Sequence, residues 1–274
     1  MNPLLITGAH RSGTTWIGNV LNCSNVFRYL DEPLNLEHSR HRLHGVQYWF
    51  EDIETNKKLI WQLKLHKLKS SLTRKRMLVK DPLSFFSIDS YIRHLDAHVL
   101  ISVRHPAAFV GSLKRQNWQH DFNHFLGQKR LMKTRLGPFE KSLALYANEK
   151  QDIVQQGILL WNLIYSNALE YKKNYPDILL VRHEDLSLNP LDEFRKIFSY
   201  FNIPYTSAVQ EYILETTKET NAKKRDPEEV HQLYRNSAEN IFSYRTILSA
   251  KEISEVREGT QKVSRAFYDD ATWS

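Results

Sequence analysis

Pro3-Leu4-Leu5-Ile6-Thr7-Gly8-Ala9-His10-Arg11-Ser12-Gly13-Thr14-Thr15 opens with a short apolar run and ends in a polar turn that holds two glycines. The apolar run reads as a buried strand. After the turn, Trp16, Ile17, Val20 and Leu21 recur at helical spacing, so residues 13–22 read as a helix. A strand, a glycine-bounded turn and a helix start form the context in which a loop cradles an anion. Gly8 and Gly13 let the backbone turn tightly and approach a ligand closely. The amides from Ser12 onward would point at the anion from a helix N-terminus. Ser12, Thr14 and Thr15 add hydroxyl donors, and Arg11 is the nearest cation.

Working outward, residues 76–80, 97–103 and 178–181 are further buried-strand candidates. Each is followed by a polar or proline-containing turn and then a helical pattern. Residues 142–175 carry Ile158, Trp161, Ile164, Tyr165 and Leu169 at helical spacing, and residues 250–267 read as a closing helix. Strands alternating with helices predict an α/β protein. The expected architecture is a three-layer sandwich, a central parallel sheet flanked by helices, of the P-loop nucleotide-binding type. One domain is expected across residues 1–274, with lid or acceptor segments near 35–74, 117–150 and 216–245. No internal repeat or low-complexity tract interrupts it.

Composition sets bounds rather than choosing a function. The 274 residues are 41% hydrophobic and 25% charged, which suits a globular chain and argues against disorder. Lys plus Arg is 38 and Asp plus Glu is 31, a formal net charge of +7 that suits an anionic ligand. The single cysteine, Cys23, excludes a disulfide framework and reads as a buried, inert thiol. Four apolar residues at the N-terminus do not make a signal-peptide core, and no stretch reaches membrane-span length. A cytoplasmic enzyme is the expectation.

The loop spacing matches the nucleoside-triphosphatase pattern G-x-x-x-x-G-K-[ST], except that Thr14 stands where the lysine should be. That lysine acts on the β- and γ-phosphates, so its loss argues against hydrolysis of a nucleoside triphosphate. Arg11-Ser12-Gly13-Thr14-Thr15 after a strand instead resembles the 5′-phosphosulfate loop of sulfotransferases that use 3′-phosphoadenosine 5′-phosphosulfate. Four more segments resemble that family in the same order. Arg104 at a strand end, with Ser112 eight positions later, resembles the pair that grips the donor's 3′-phosphate. Lys80-Asp81-Pro82 resembles the K-D-P element of tyrosylprotein and several carbohydrate sulfotransferases. There Lys80 would face the sulfate or bridging oxygen, and Asp81 would orient it or cap the next helix. Glu32-Pro33 resembles the E-P element of carbohydrate sulfotransferases, which makes Glu32 the expected general base and leaves Asp31 as its competitor. Residues 181–190 resemble an R-Y-E-D-L…P segment with His183 in place of Tyr, Glu184 and Asp185 being structural. Arg235 falls where the family closes a basic loop over the donor, and Tyr244 stands for its usual Trp.

The resemblance implies sulfuryl transfer from 3′-phosphoadenosine 5′-phosphosulfate to an acceptor hydroxyl, with adenosine 3′,5′-bisphosphate as product. It implies catalytic Arg11, Glu32 and Lys80, and donor contacts from Arg11, Ser12, Gly13, Thr14, Thr15, Arg104, Ser112 and Arg235. No metal ion and no nucleic acid are expected. The acceptor is expected to be a carbohydrate, with tyrosine, lipid and small-metabolite hydroxyls open. Trp118, His120, Phe122, His124, Phe125 and Arg130 are candidate lining of its cleft. A P-loop kinase or other phosphotransferase is the alternative, and a phosphonucleotide or RNA-binding module ranks below it. His38, His41 and His44 share helical spacing, but the interleaved Arg40 and Arg42 discourage a bound cation.

Overall fold

The computed structural model of the protein describes residues 1–37, 40–149, 151–217 and 241–273. Among the described residues five strands form one sheet: β1 (Leu4–Gly8), β2 (Phe27–Asp31), β3 (Arg76–Lys80), β4 (His98–Val103) and β5 (Leu179–Arg182). Their order is β2-β3-β1-β4-β5, and every neighbouring pair is parallel. Parallel strands need crossovers. The helices are α1 (Thr14–Asn22), α2 (Lys57–Leu72), α3 (Ile88–Leu95), α4 (Pro106–Gln116), α5 (Asn123–Leu126), α6 (Lys129–Leu131), α7 (Glu140–Asn148), α8 (Ile153–Asn174), α9 (His183–Leu188), α10 (Pro190–Tyr200), α11 (Ser207–Thr217) and α12 (Ala250–Ser264).

Successive strand side chains point to opposite faces, and the core divides on that alternation. Leu4 and Ile6 of β1, Leu78 of β3 and Leu100 of β4 pack with Trp16, Ile17, Val20 and Leu21 of α1 and with Phe194, Phe198, Val209 and Ile213 of α10 and α11. Leu5, Val79, Val99 and Ile101 pack on the other face with α2, α3, α4 and α8. Both faces of every central strand are therefore covered, which is why these strands read as apolar runs without alternation. The predicted three-layer α/β sandwich is the observed fold.

Three local expectations change. Phe27–Asp31 is a strand that the sequence did not announce. The helical stretch 142–175 is two helices, broken where Glu149 is extended and where Asp152 accepts hydrogen bonds from the Val154 and Gln155 amides to start α8. Cys23 is half-buried rather than buried; burial raises its thiol pKa, which keeps it in the inert form.

The strand ends determine where a ligand can lie. Gly8 pairs with Ser102, and Asp31 with Lys80, so the C-terminal ends of four strands lie level. From β1 the chain runs out to the β2 edge, returns through β3 and crosses to β4. The order therefore reverses between β1 and β4, and open α/β sheets bind ligands in the crevice outside that switch point.

Candidate active site

The loop between β1 and α1 fills this crevice. Gly8 has φ +142°, and a Cβ there would lie 2.4 Å from the Ser102 carbonyl oxygen. Gly13 has φ +89°, and its Cβ would lie 2.4 Å from His183 Nδ1. The loop is rigid by internal bonding. Ser12 Oγ donates to the Ala9 carbonyl at 2.6 Å, and Ser102 Oγ donates to the Ser12 carbonyl at 2.6 Å. Ser12 thus shapes the loop through its hydroxyl. The amides of Gly13, Thr14, Thr15 and Trp16 are the four at the start of α1 that no helical carbonyl can reach. A helix start of this kind attracts anions.

Arg104 leaves the end of β4 and donates from Nη1 to the Arg11 carbonyl at 2.5 Å. Trp161 Nε1 fixes the Arg104 carbonyl at 2.9 Å. Pro106 opens α4, whose second turn brings Ser112 round so that its Oγ accepts from Arg11 Nε at 3.2 Å. The Arg11 guanidinium also lies 5.5 Å from the Trp118 ring centre. Arg11, Arg104 and Ser112 therefore meet at one place beside the loop. Behind them Glu184 is buried and accepts from the His105 amide at 2.9 Å and the Tyr268 hydroxyl at 2.8 Å. Asp185 pairs with Arg182. Both carboxylates are thus engaged by neighbouring protein groups.

The ends of β2 and β3 hold three charges. Lys80 is 2% exposed, and its Nζ lies 2.6 Å from Asp31 Oδ1 and 2.7 Å from Glu32 Oε1. Burial disfavours the ammonium, but the Glu32 and Asp31 carboxylates outweigh it and raise the Lys80 pKa. Glu32 is 18% exposed and Asp31 49%. Glu32 adopts φ +44°, a left-handed turn that ends β2 and sends the chain into Pro33. His41 Nδ1 accepts from the Asp31 amide at 3.0 Å. Asp81 turns inward as a cap: Oδ1 accepts from the Leu83 amide, and Oδ2 from the Leu34 amide and the Ser84 hydroxyl. Burial and the Glu32 charge push its carboxyl up to about 7. Of the two roles open to Asp81, capping is the one the geometry displays.

An aromatic cluster, its phenylalanines buried in the core, packs against the loop at His10. The His10 ring lies 5.9 Å from Phe50, 5.4 Å from Phe109 and 6.1 Å from Trp118. The His120 ring lies 5.8 Å from Phe50, 5.1 Å from Phe122 and 4.9 Å from Phe125. Burial, then the Arg11 charge, pulls His10 down to about 4 against the pull of Glu32. Burial, then His10, pulls His120 down to about 3. Both imidazoles are neutral at pH 7, and His120 Nε2 is buried without a hydrogen-bond partner among the described residues. Arg130 turns away to pair with Asp52, and His124 Nδ1 accepts from the Trp49 amide. Sequence reading missed His10 and Phe50. The signal for His10 was its place inside the loop; Phe50 carried none.

Arg235 lies outside the described residues, as does His38. Tyr244 stacks on His105 at 5.5 Å with 14° between the rings. Among the described residues no group of three His, Cys, Asp or Glu side chains could hold a metal ion. Among them no helix is long and apolar enough to cross a membrane.

Comparison with known proteins agrees with this fold. Sulfotransferase STF9 from Mycobacterium avium superposes with a TM-score of 0.57 at 12% identity, over 97% of this chain and 76% of that one. The sulfotransferase domain of the Synechococcus PCC 7002 olefin synthase gives 0.55 at 17% identity, over 98% and 96%. Mouse SULT7A1, solved in complex with PAP, gives 0.54 at 12% identity, over 99% and 87%. At these identities the likeness is one of fold. Mouse carbohydrate sulfotransferase 3 is 34% identical over 67 residues, which are 24% of this chain and only 13% of that protein. The sulfotransferase domain model matches residues 2–266, so the chain belongs to the sulfotransferase domain family.

Proposed function

We propose that the protein transfers the sulfuryl group of 3′-phosphoadenosine 5′-phosphosulfate to a carbohydrate hydroxyl, by in-line displacement and without a metal ion. The observation that carries this reading is the meeting of Arg104 and Ser112 with the glycine loop through Arg11, at 2.5 Å and 3.2 Å. The donor has two anionic ends. A helix start suits the 5′-phosphosulfate, and an Arg–Ser pair beside it suits the 3′-phosphate. Gly13, Thr14 and Thr15 take the first end, Arg104 and Ser112 the second, and Arg235 joins them on the resemblance alone. The reaction is assigned to the cytoplasm, where a chain with one cysteine needs no disulfide.

The acceptor oxygen bonds to sulfur as the bond from sulfur to the bridging oxygen of the 5′-phosphate breaks. The acceptor proton passes to the Glu32 carboxylate, and adenosine 3′,5′-bisphosphate leaves. Charge grows on the bridging oxygen, and Lys80 and Arg11 are the cations assigned to offset it. In the structure Lys80 is held by both carboxylates. Turning it toward the donor releases Glu32 to act as base.

Support for a carbohydrate comes from the aromatic cluster and from the short stretch similar to carbohydrate sulfotransferase 3. Trp118, 38% exposed, offers a flat apolar face, and two neutral imidazoles offer uncharged hydrogen-bonding groups. That combination suits a polyhydroxylated ring. Thermal unfolding with added nucleotide tests the donor. Adenosine 3′,5′-bisphosphate is expected to raise the midpoint, and ATP with magnesium is not. The opposite pattern refutes the donor assignment. Labelled donor offered to sugar and phenol acceptors then tests the acceptor.

A further inference from the structure

Helix α2 is apolar on two faces. Leu59, Ile60 and Leu63 point into the core. On the opposite side Trp61 is 60% exposed, Leu68 55% and Leu72 76%, and Leu65 between them is part-exposed. These four fall at i, i+4, i+7 and i+11, so they form one stripe along the outer face. At 100° per residue the stripe is bordered by Lys57 and Lys64 on one side and by Lys58 and Lys69 on the other, all exposed. None of these four lysines makes an ion pair among the described residues. Residues 57–76 hold Lys57, Lys58, Lys64, Lys67, Lys69, Arg74, Lys75 and Arg76 and no Asp or Glu. Lys67, Lys75 and Arg76 are tied to Leu95, Asn25, Asn2 and Phe201, so the cations of the outer face are the unassigned ones.

We propose that the outer face of α2 docks the enzyme on an anionic lipid surface, with Trp61, Leu65, Leu68 and Leu72 entering the headgroup boundary and the flanking lysines pairing with lipid phosphates. Three observations favour this occupant. The charge is of one sign throughout, which demands an anionic partner. The stripe is apolar at its centre with lysines along both borders, so their stems can cover apolar surface while the ammonium groups reach headgroups. The surface is the convex back of a helix rather than a groove, and a planar partner fits it better than a peptide helix, which seeks a groove. Nucleic acid would leave three large apolar side chains facing water or phosphate. Docking is independent of the donor and acceptor assignments, because none of these residues touches the crevice.

Cosedimentation of the full chain with vesicles tests the proposal. The protein is expected to bind phosphatidylcholine vesicles containing phosphatidylserine and not vesicles of phosphatidylcholine alone. Binding should weaken as salt is added. The triple change Lys58→Glu, Lys64→Glu, Lys69→Glu is expected to weaken it about a hundred-fold or more. Trp61→Ser with Leu68→Ser should do the same at unchanged charge. Thermal unfolding shows whether each variant is folded, and the single exposed change Leu72→Ser serves if a multiple variant is not. Absence of binding to the anionic vesicles overturns the proposal, and so does binding that none of these changes weakens. A dimer in analytical ultracentrifugation that Leu72→Ser dissociates also overturns it, by making a second copy the occupant.

Discussion

Lys80 sits where two demands conflict. Buried and 2% exposed, it is stable as a cation only because Asp31 and Glu32 lie within 2.7 Å. The same pairing ties up both carboxylates in ion pairs with Lys80. Asp31 and Glu32 differ in setting: Asp31 is 49% exposed, whereas Glu32 is 18% exposed and its charge opposes, without overcoming, the burial and the Arg11 charge that lower the His10 pKa. The less exposed carboxylate, Glu32, is the one proposed as the base. Glu32→Gln is expected to lower kcat by about 10²-fold or more while leaving affinity for adenosine 3′,5′-bisphosphate nearly unchanged. Asp31→Asn should cost much less. Steady-state kinetics with calorimetry of nucleotide binding separates the two, and a larger loss in Asp31→Asn would reverse the assignment. Arg11→Ala is expected to lower kcat about 10²-fold, the scale of losing one transition-state donor. Near-normal turnover in that variant would remove Arg11 from the chemistry.

At the scale of the element, α1 serves the site twice, through its first amides and through Gly18. A Cβ on Gly18 would lie 2.9 Å from the Tyr29 hydroxyl and 3.1 Å from Lys80 Cγ. In an exposed helix Gly→Ala stabilises by about 1 kcal/mol. Here that gain is expected to vanish, and kcat to fall, because the new methyl displaces the Lys80 stem from beneath the carboxylates. Thermal unfolding and kinetics of Gly18→Ala check this; a stabilised, fully active variant would contradict it. The loop and α1 were legible in sequence because their determinants are local: glycines at forced backbone angles beside a periodic helix. β2 was not. Phe27-Arg28-Tyr29-Leu30-Asp31 is an edge strand with only Phe27 and Leu30 buried, so it offers no apolar run. Residues 142–175 read as one helix because the apolar period continues past Asn148, where α7 ends, to Asp152, which begins a new cap. The aromatic cluster was legible only in part. Trp118 to Phe125 share one segment, but His10, Phe50 and His120 meet across long sequence distances, and nothing local encodes such a meeting.

The whole molecule holds several imidazoles in their neutral form, and acid should expose that. His105 is the clearest case. It is 2% exposed, neither ring nitrogen has a hydrogen-bond partner among the described residues, and Tyr244, Tyr268 and Trp273 surround it at 4.3 to 5.5 Å. Burial, then the charges of Arg104 and Arg245, pulls it down to about 3 from the usual 6.5. Between those values the unfolded chain binds a proton that the folded chain refuses, so stability falls as pH drops below 6.5. At about pH 5 this one residue is expected to cost about 2 kcal/mol. His10 and His120, held down to about 4 and about 3, act in the same direction. Replacing the ring by an apolar one removes both the proton linkage and the unpartnered nitrogens. The His105 amide would still donate to Glu184. His105→Phe is therefore expected to gain about 1 kcal/mol at neutral pH, from no longer burying unsatisfied polar atoms. It should also lose about 2 kcal/mol less than the parent between neutral pH and about pH 5. Urea unfolding at the two pH values measures both differences. An unchanged acid loss in His105→Phe would show that His105 is not held neutral by the fold.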